Sequence, residues 1–113
     1  MGLTGSAAIV GFVELAPQRK PTRAPAFAIE QWARLAAGAL ADAGLQASQV
    51  DGLVTTAIAE TALFAPATLA EYLGIGINFG EYVDLGGATA AGMVWRAAAA
   101  VELGLCDAVL AVL

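Results

Sequence analysis

The chain has 113 residues, the size of one domain or part of one, with 59% hydrophobic and 13% charged residues and a net charge of −5. The charged fraction is well below the ~25% of an average soluble domain, so the composition points to a surface covered by further protein. Five basic residues (Arg19, Lys20, Arg23, Arg34 and Arg96) on an acidic chain make a poor phosphate-backbone binder, which argues against a nucleic-acid partner.

Ser6 to Val13 is a short apolar, β-branched run that predicts a buried strand. Glu14 to Ala24 is a polar loop holding Pro17 and Pro21, with three of the five cations in Arg19, Lys20 and Arg23; these read as a solvated loop or a contact for an anionic ligand. Pro25 suits a helix start, and Ala26 to Ala43 shows helical period, with Ile29, Trp32, Leu35 or Ala36, and Leu40 on one side. Gly44 stops it. Gly52 to Ala57 predicts a second strand, followed by an apolar loop with Leu63 and Phe64, and Pro66 to Leu73 a short helix closed by Gly74. Asn78 to Leu85 predicts a third strand, Gly86 to Leu103 a long helix closed by Gly104, and Asp107 to Leu113 a fourth strand.

The order β-α-β-α-β-α-β predicts an α/β fold with a mostly parallel sheet and right-handed crossovers. The last helix is apolar nearly all round, interrupted only by Thr89, Arg96 and Glu102. A helix without a polar face requires burial on every side, which one small α/β domain does not supply. A second half or another subunit is therefore expected around it, and the sequence reads as an apparently truncated domain spanning residues 1–113.

No apolar run reaches the ~20 residues of a membrane-spanning helix; the two longest low-charge stretches are broken by Glu60 and Arg96. The N-terminus lacks the basic and apolar regions of a signal peptide, so no membrane partner and a cytoplasmic location are expected. There is no histidine, which removes imidazole metal sites and Ser-His-Asp or Cys-His chemistry within this chain. The single cysteine, Cys106, excludes an intrachain disulfide and a structural zinc site. It follows a helix C-terminus beside Asp107, where the dipole disfavours thiolate, and reads as structural.

Two glycine motifs compete for attention. Gly74-Ile75-Gly76-Ile77-Asn78-Phe79 begins like a dinucleotide fingerprint but lacks the third glycine and follows a helix, so it reads as a helix stop and turn. Gly86-Gly87-Ala88-Thr89 follows a strand and opens a helix, where many α/β enzymes place a reactive side chain. Its N–H groups suit an anion or oxyanion; close packing of helix on sheet is the plainer reading of the glycines. Asp84, at the end of the preceding strand, is placed for the same site or for a cap; nothing fixes it near Asp107.

Several segments together resemble the N-terminal part of the thiolase superfamily: Ala7-Ala8-Ile9-Val10-Gly11, Ala39-Leu40-Ala41-Asp42-Ala43-Gly44-Leu45, Val50-Asp51-Gly52-Leu53-Val54, Gly86-Gly87-Ala88, and Ala97 through Leu110. The branch is that of the sterol carrier protein-type thiolases, or lipid-transfer proteins. The resemblance covers nearly the whole chain. It implies the first half of a five-layer α-β-α-β-α fold whose central helix is buried between two sheets. In such thiolases a cysteine at the N-terminus of that helix carries the acyl group from a coenzyme A thioester. Aligned through Gly104 to Leu110, that position falls on Gly87, so this chain departs from the family at its nucleophile and has no catalytic residue of its own there.

The resemblance implies a part of an acyl-CoA-processing protein of lipid metabolism, related to acetyl-CoA acetyltransferases, in which Gly86, Gly87 and Ala88 line the substrate site. Members without the cysteine include thiolase-like aldolases, which work with a small partner protein, so retro-aldol cleavage or acyl-CoA binding is expected rather than acyl transfer. A CoA thioester is the expected substrate, with no bound cofactor or metal, in a homodimer or hetero-oligomer. This chain alone is not expected to be active. A non-catalytic scaffold for an active thiolase-fold subunit, and an unrelated alanine-rich α/β domain, stand as alternatives.

Overall fold

The computed structural model describes residues 4–20, 24, 26–60 and 64–113. Three helices and three strands alternate: α1 (Ala28–Ala43), β1 (Gly52–Thr55), α2 (Ala65–Leu73), β2 (Phe79–Tyr82), α3 (Thr89–Glu102) and β3 (Val109–Val112). The α/β class read from the sequence is the class observed. The sheet is parallel with order β2-β1-β3, and Gly52 of β1 lies opposite Phe79 on one side and Val109 on the other. Pro21, Arg23, Pro25 and Leu63, to which the sequence reading gave roles, lie outside the described residues.

All three helices end the same way. Gly44, Gly74 and Gly104 adopt φ of 69°, 68° and 68°, and the residue after each (Leu45, Ile75, Leu105) donates its N–H to a carbonyl five residues back at 3.0 Å. This motif satisfies orphan carbonyls and turns the chain sharply toward the next strand. The start of α1 has no side-chain cap of its own. The Glu60 carboxylate, from the loop after β1, accepts the Ala28 N–H instead.

The central strand β1 is buried along its whole length. Its alternation divides the interior in two. Leu53 points to the α1 and α2 side, where Trp32, Ala36, Leu69, Leu110 and Val112 form the main core. Val54 points to the α3 side, where it clusters with Val83 and Met93 among the described buried residues. Asp51, just before β1, closes the lower end of the sheet. Its carboxylate accepts the N–H of Asp107 at 2.9 Å and of Ala108 at 2.9 Å, tying the start of β3 to the start of β1.

One expectation is corrected. Residues 7–13 form no strand, so among the described residues the sheet has three strands rather than four. The segment lies along α1 instead. The Phe12 N–H donates to Asp42 Oδ2 at 2.9 Å, and Gly11 sits so close that an added Cβ would come within 2.8 Å of the Ala43 Cβ. Ile9 and Phe12 remain 76% and 70% exposed. A β-branched run forms a strand only where a sheet edge accepts its hydrogen bonds, and this run reaches neither edge.

The central helix is covered by this chain on one side. In this chain α3 buries only Thr89, Met93 and Ala100, while Val94 and Trp95 on its other flank are 48% and 55% exposed. The all-round cover that its composition requires is not supplied by the described residues.

Candidate functional site

The strand-to-helix corner after β2 stands at the carboxyl end of the parallel sheet, the edge where open α/β sheets bind ligands. Gly86, Gly87 and Ala88 form one turn of 3-10 helix that runs directly into α3. The corner is held by side chains on both sides. Asp84 Oδ1 accepts the Gly86 N–H at 3.1 Å. The buried Thr89 hydroxyl accepts the Leu85 N–H at 2.9 Å and donates to the Gly86 carbonyl at 2.7 Å. Thr89 therefore clamps the turn from the helix side, a role the sequence signals only as a threonine three residues after a glycine at a helix start.

Gly86 has φ +58°, a left-handed conformation that costs other residues steric strain. Gly87 has no such requirement. A Cβ built on Gly86 or on Gly87 meets nothing within 4 Å. The expectation that these glycines let helix and sheet pack closely is thus corrected: the space at residue 87 is open, and the close approach falls at Gly92, where a Cβ would come within 2.4 Å of Leu85 Cδ1. Ala88 donates its N–H to the Leu85 carbonyl and Thr89 to the Gly86 carbonyl, leaving the Gly87 N–H as the unengaged donor of the turn among the described residues. It lies in the first turns of a helical segment, where the backbone dipoles favour negative charge.

The other candidates separate from this corner. Asp84 belongs to it, as a brace for Gly86. Asp107 lies at the opposite end of the sheet, bonded through its N–H to Asp51, so the two aspartates form no acid pair. Cys106 is buried beside Gly52, where an added Cβ would stand 2.8 Å from Sγ. Burial, and the negative charges of Asp51 and Asp107, push its thiol above the ordinary value, as expected of a structural cysteine. Asp51 is the residue whose importance the sequence did not disclose. Its carboxyl is held below its usual value, chiefly by the bond from the Ala108 N–H and further by Asp107. Two of the five cations are paired, Arg34 with Glu30 and Arg96 with Glu81, and Arg96 also stacks over Trp95 at 5.2 Å. Arg19 and Lys20 lie in an exposed bend.

A large apolar groove of about 1280 Å³ opens between residues 6–15, α1, α3 and β3. Its lining does not include Gly86, Gly87 or Ala88. Among the described residues there is no group of His, Cys, Asp and Glu side chains fit to hold a metal ion. No helix among them is long and apolar enough to cross a membrane.

No family model and no curated protein matches the chain. Among solved structures it is similar to a chain described as an Ltp2-ChsH2(DUF35) aldolase, with 33% sequence identity and a TM-score of 0.67. The match covers 76% of this chain and 22% of that one. This chain therefore corresponds to less than a quarter of the aldolase chain.

Proposed function

We propose that this chain is the nucleophile-free corner of a thiolase-like protein that handles an acyl-CoA thioester by retro-aldol cleavage. The observation that carries the reading is the open space at Gly87: a strand-to-helix corner with room for a side chain, a free N–H, and no side chain. A corner built to hold a covalent acyl group needs a thiolate or alkoxide there. One that only stabilises charge needs the donor alone. Similarity to an aldolase supports the second use.

In such a cleavage a base removes the β-hydroxyl proton of a 3-hydroxyacyl thioester. The bond between the α and β carbons then breaks, releasing a carbonyl product and leaving an enolate on the thioester oxygen. The Gly87 N–H, with the helical turn behind it, stabilises that oxyanion. Asp84 fixes the turn in place through Gly86. No base is assigned to this chain, which has no histidine and whose nearest carboxylate, Asp84, is occupied with Gly86. The base, the acyl pocket and the CoA site come from other polypeptide, in keeping with a hetero-oligomeric assembly.

The test is amide NMR of the chain titrated with a 3-hydroxyacyl-CoA in the presence of a DUF35-type partner, with product analysis of the same mixture. Shifts centred on Gly86 to Ala88, and aldehyde or ketone release only in the complex, are expected. A stable complex with no release would favour the scaffold reading. Absence of both shifts and release would refute ligand handling at this corner.

A further inference from the structure

Gly86-Gly87 is the chain's single Gly-Gly pair, and the two polar groups of the peptide that joins them are treated differently. The Gly86 carbonyl is held twice by Thr89, once by its backbone N–H and once by its hydroxyl, which donates at 2.7 Å. The Gly87 N–H has no partner among the described residues. The peptide is trans and planar, so its N–H and C=O point in opposite directions. Drawing the carbonyl toward Thr89 therefore aims the Gly87 N–H away from α3, out of the helix end and into the open space at residue 87.

The two glycines do not by themselves resist the opposite arrangement. A half-turn of this peptide changes only ψ of Gly86 and φ of Gly87, and glycine takes either sign of φ at little steric cost. The turned peptide points a carbonyl oxygen at the open space and repels an anion there. The Thr89 hydroxyl is placed to prevent this. It accepts the Leu85 N–H at 2.9 Å, which leaves its own proton directed at the Gly86 carbonyl. The residue is only 5% exposed, so the bond is shielded from water, and the branched Cβ stiffens χ1. Asp84 holds the preceding peptide, through the Gly86 N–H at 3.1 Å, and leaves the orientation of the next one to Thr89.

We infer that Thr89 is the positioning residue of the corner: its hydroxyl locks the Gly86–Gly87 peptide with the N–H outward, so that the donor is aimed before a ligand arrives. A donor fixed in advance stabilises developing charge without reorganising. Thr89 itself touches no substrate. Use of the donor on a thioester enolate rests on the function proposed above, whereas the lock rests on the hydroxyl and its two bonds.

The test uses the 113-residue chain, isotope-labelled at its glycine nitrogens and bound to a DUF35-type partner, as parent, Thr89→Val and Thr89→Ser. Valine keeps the buried shape and removes the hydroxyl; serine keeps the hydroxyl. A single Gly87 amide signal is expected in the parent and in Thr89→Ser, and a second or exchange-broadened Gly87 signal in Thr89→Val. With a 3-hydroxyacyl-CoA as substrate, kcat of Thr89→Val is expected to fall about tenfold to a hundredfold while KM changes less than about twofold, with most of the rate restored in Thr89→Ser. A Gly87 signal that stays single in Thr89→Val, or a serine variant that behaves like the valine one, overturns the inference. So does a doubled Gly87 signal in the parent or in Thr89→Ser, even if Thr89→Val does not fold. Gly87 signals as expected, with no product released by any version, support the lock and sink the retro-aldol reading instead.

Discussion

The two faces of the sheet are finished to different degrees. On the α1 and α2 side, Leu53, Leu69, Trp32, Leu110 and Val112 interlock around a closed core, and both helices end in well-formed glycine caps. On the α3 side, Val54, Val83 and Met93 form a thin core beneath a single helix whose outer flank shows Val94 and Trp95 to solvent. The first face holds the domain together. The second carries the Gly86–Ala88 corner and the apolar flank, so the candidate site lies on the less completely covered side.

Core truncations on the two faces sharpen the contrast most strongly. Leu69→Ala, at a fully buried site on the closed face, is expected to cost about 2–5 kcal/mol, the usual range for such a cavity. Val54→Ala, facing the thin core, removes fewer atoms and is expected to cost less. Denaturant melts of both variants check the order; a larger loss at Val54 would mean that the α3 side is the principal core.

Next in size is Asp51. Removing its carboxylate in Asp51→Ala strips charge-assisted bonds from the N–H groups of Asp107 and Ala108 and is expected to cost about 2 kcal/mol. The acid limb gives the sign. Folding lowers this carboxyl's pKa, so its contribution is fully present above the unfolded value of about 4 and is lost as the pH falls through the folded one. Melting temperatures of the parent chain should drop below about pH 4 more steeply than those of Asp51→Asn. Parallel curves would show that the clip is not electrostatic.

The smallest expected effect on stability belongs to Gly87→Cys. The added side chain enters open space at ordinary backbone geometry, so the variant should melt within about 0.5 kcal/mol of the parent. Its thiol, at the start of a helical segment, should be alkylated faster at neutral pH than the buried Cys106, whose pKa is raised. Equal rates at the two cysteines would argue against a charge-stabilising corner.

Much of this division was legible in the sequence. The helical period of Ile29, Trp32 and Leu40, the glycine stops at residues 44, 74 and 104, and the strand-turn-helix corner are local signals, and local signals read directly. What depends on distant partners did not. Ser6 to Val13 has strand composition, but a strand is defined by a neighbour, and the segment lies against α1 instead. The role of Asp51 depends on backbone 56 and 57 residues away. The glycine-rich corner suggested tight packing, yet the tight glycines are Gly11, Gly52 and Gly92, each opposed by a residue that only the folded chain brings near.

The central claim is that the outer flank of α3 is a surface built to be covered by other protein. Sedimentation velocity of the 113-residue chain beside Trp95→Glu tests it most directly, since Trp95 is more than half exposed and its loss should leave the fold intact. The account predicts that the parent chain associates as its concentration rises and that the glutamate variant stays dispersed with an unchanged melt. A parent chain that sediments as a single monomer at every concentration and unfolds cooperatively would contradict it.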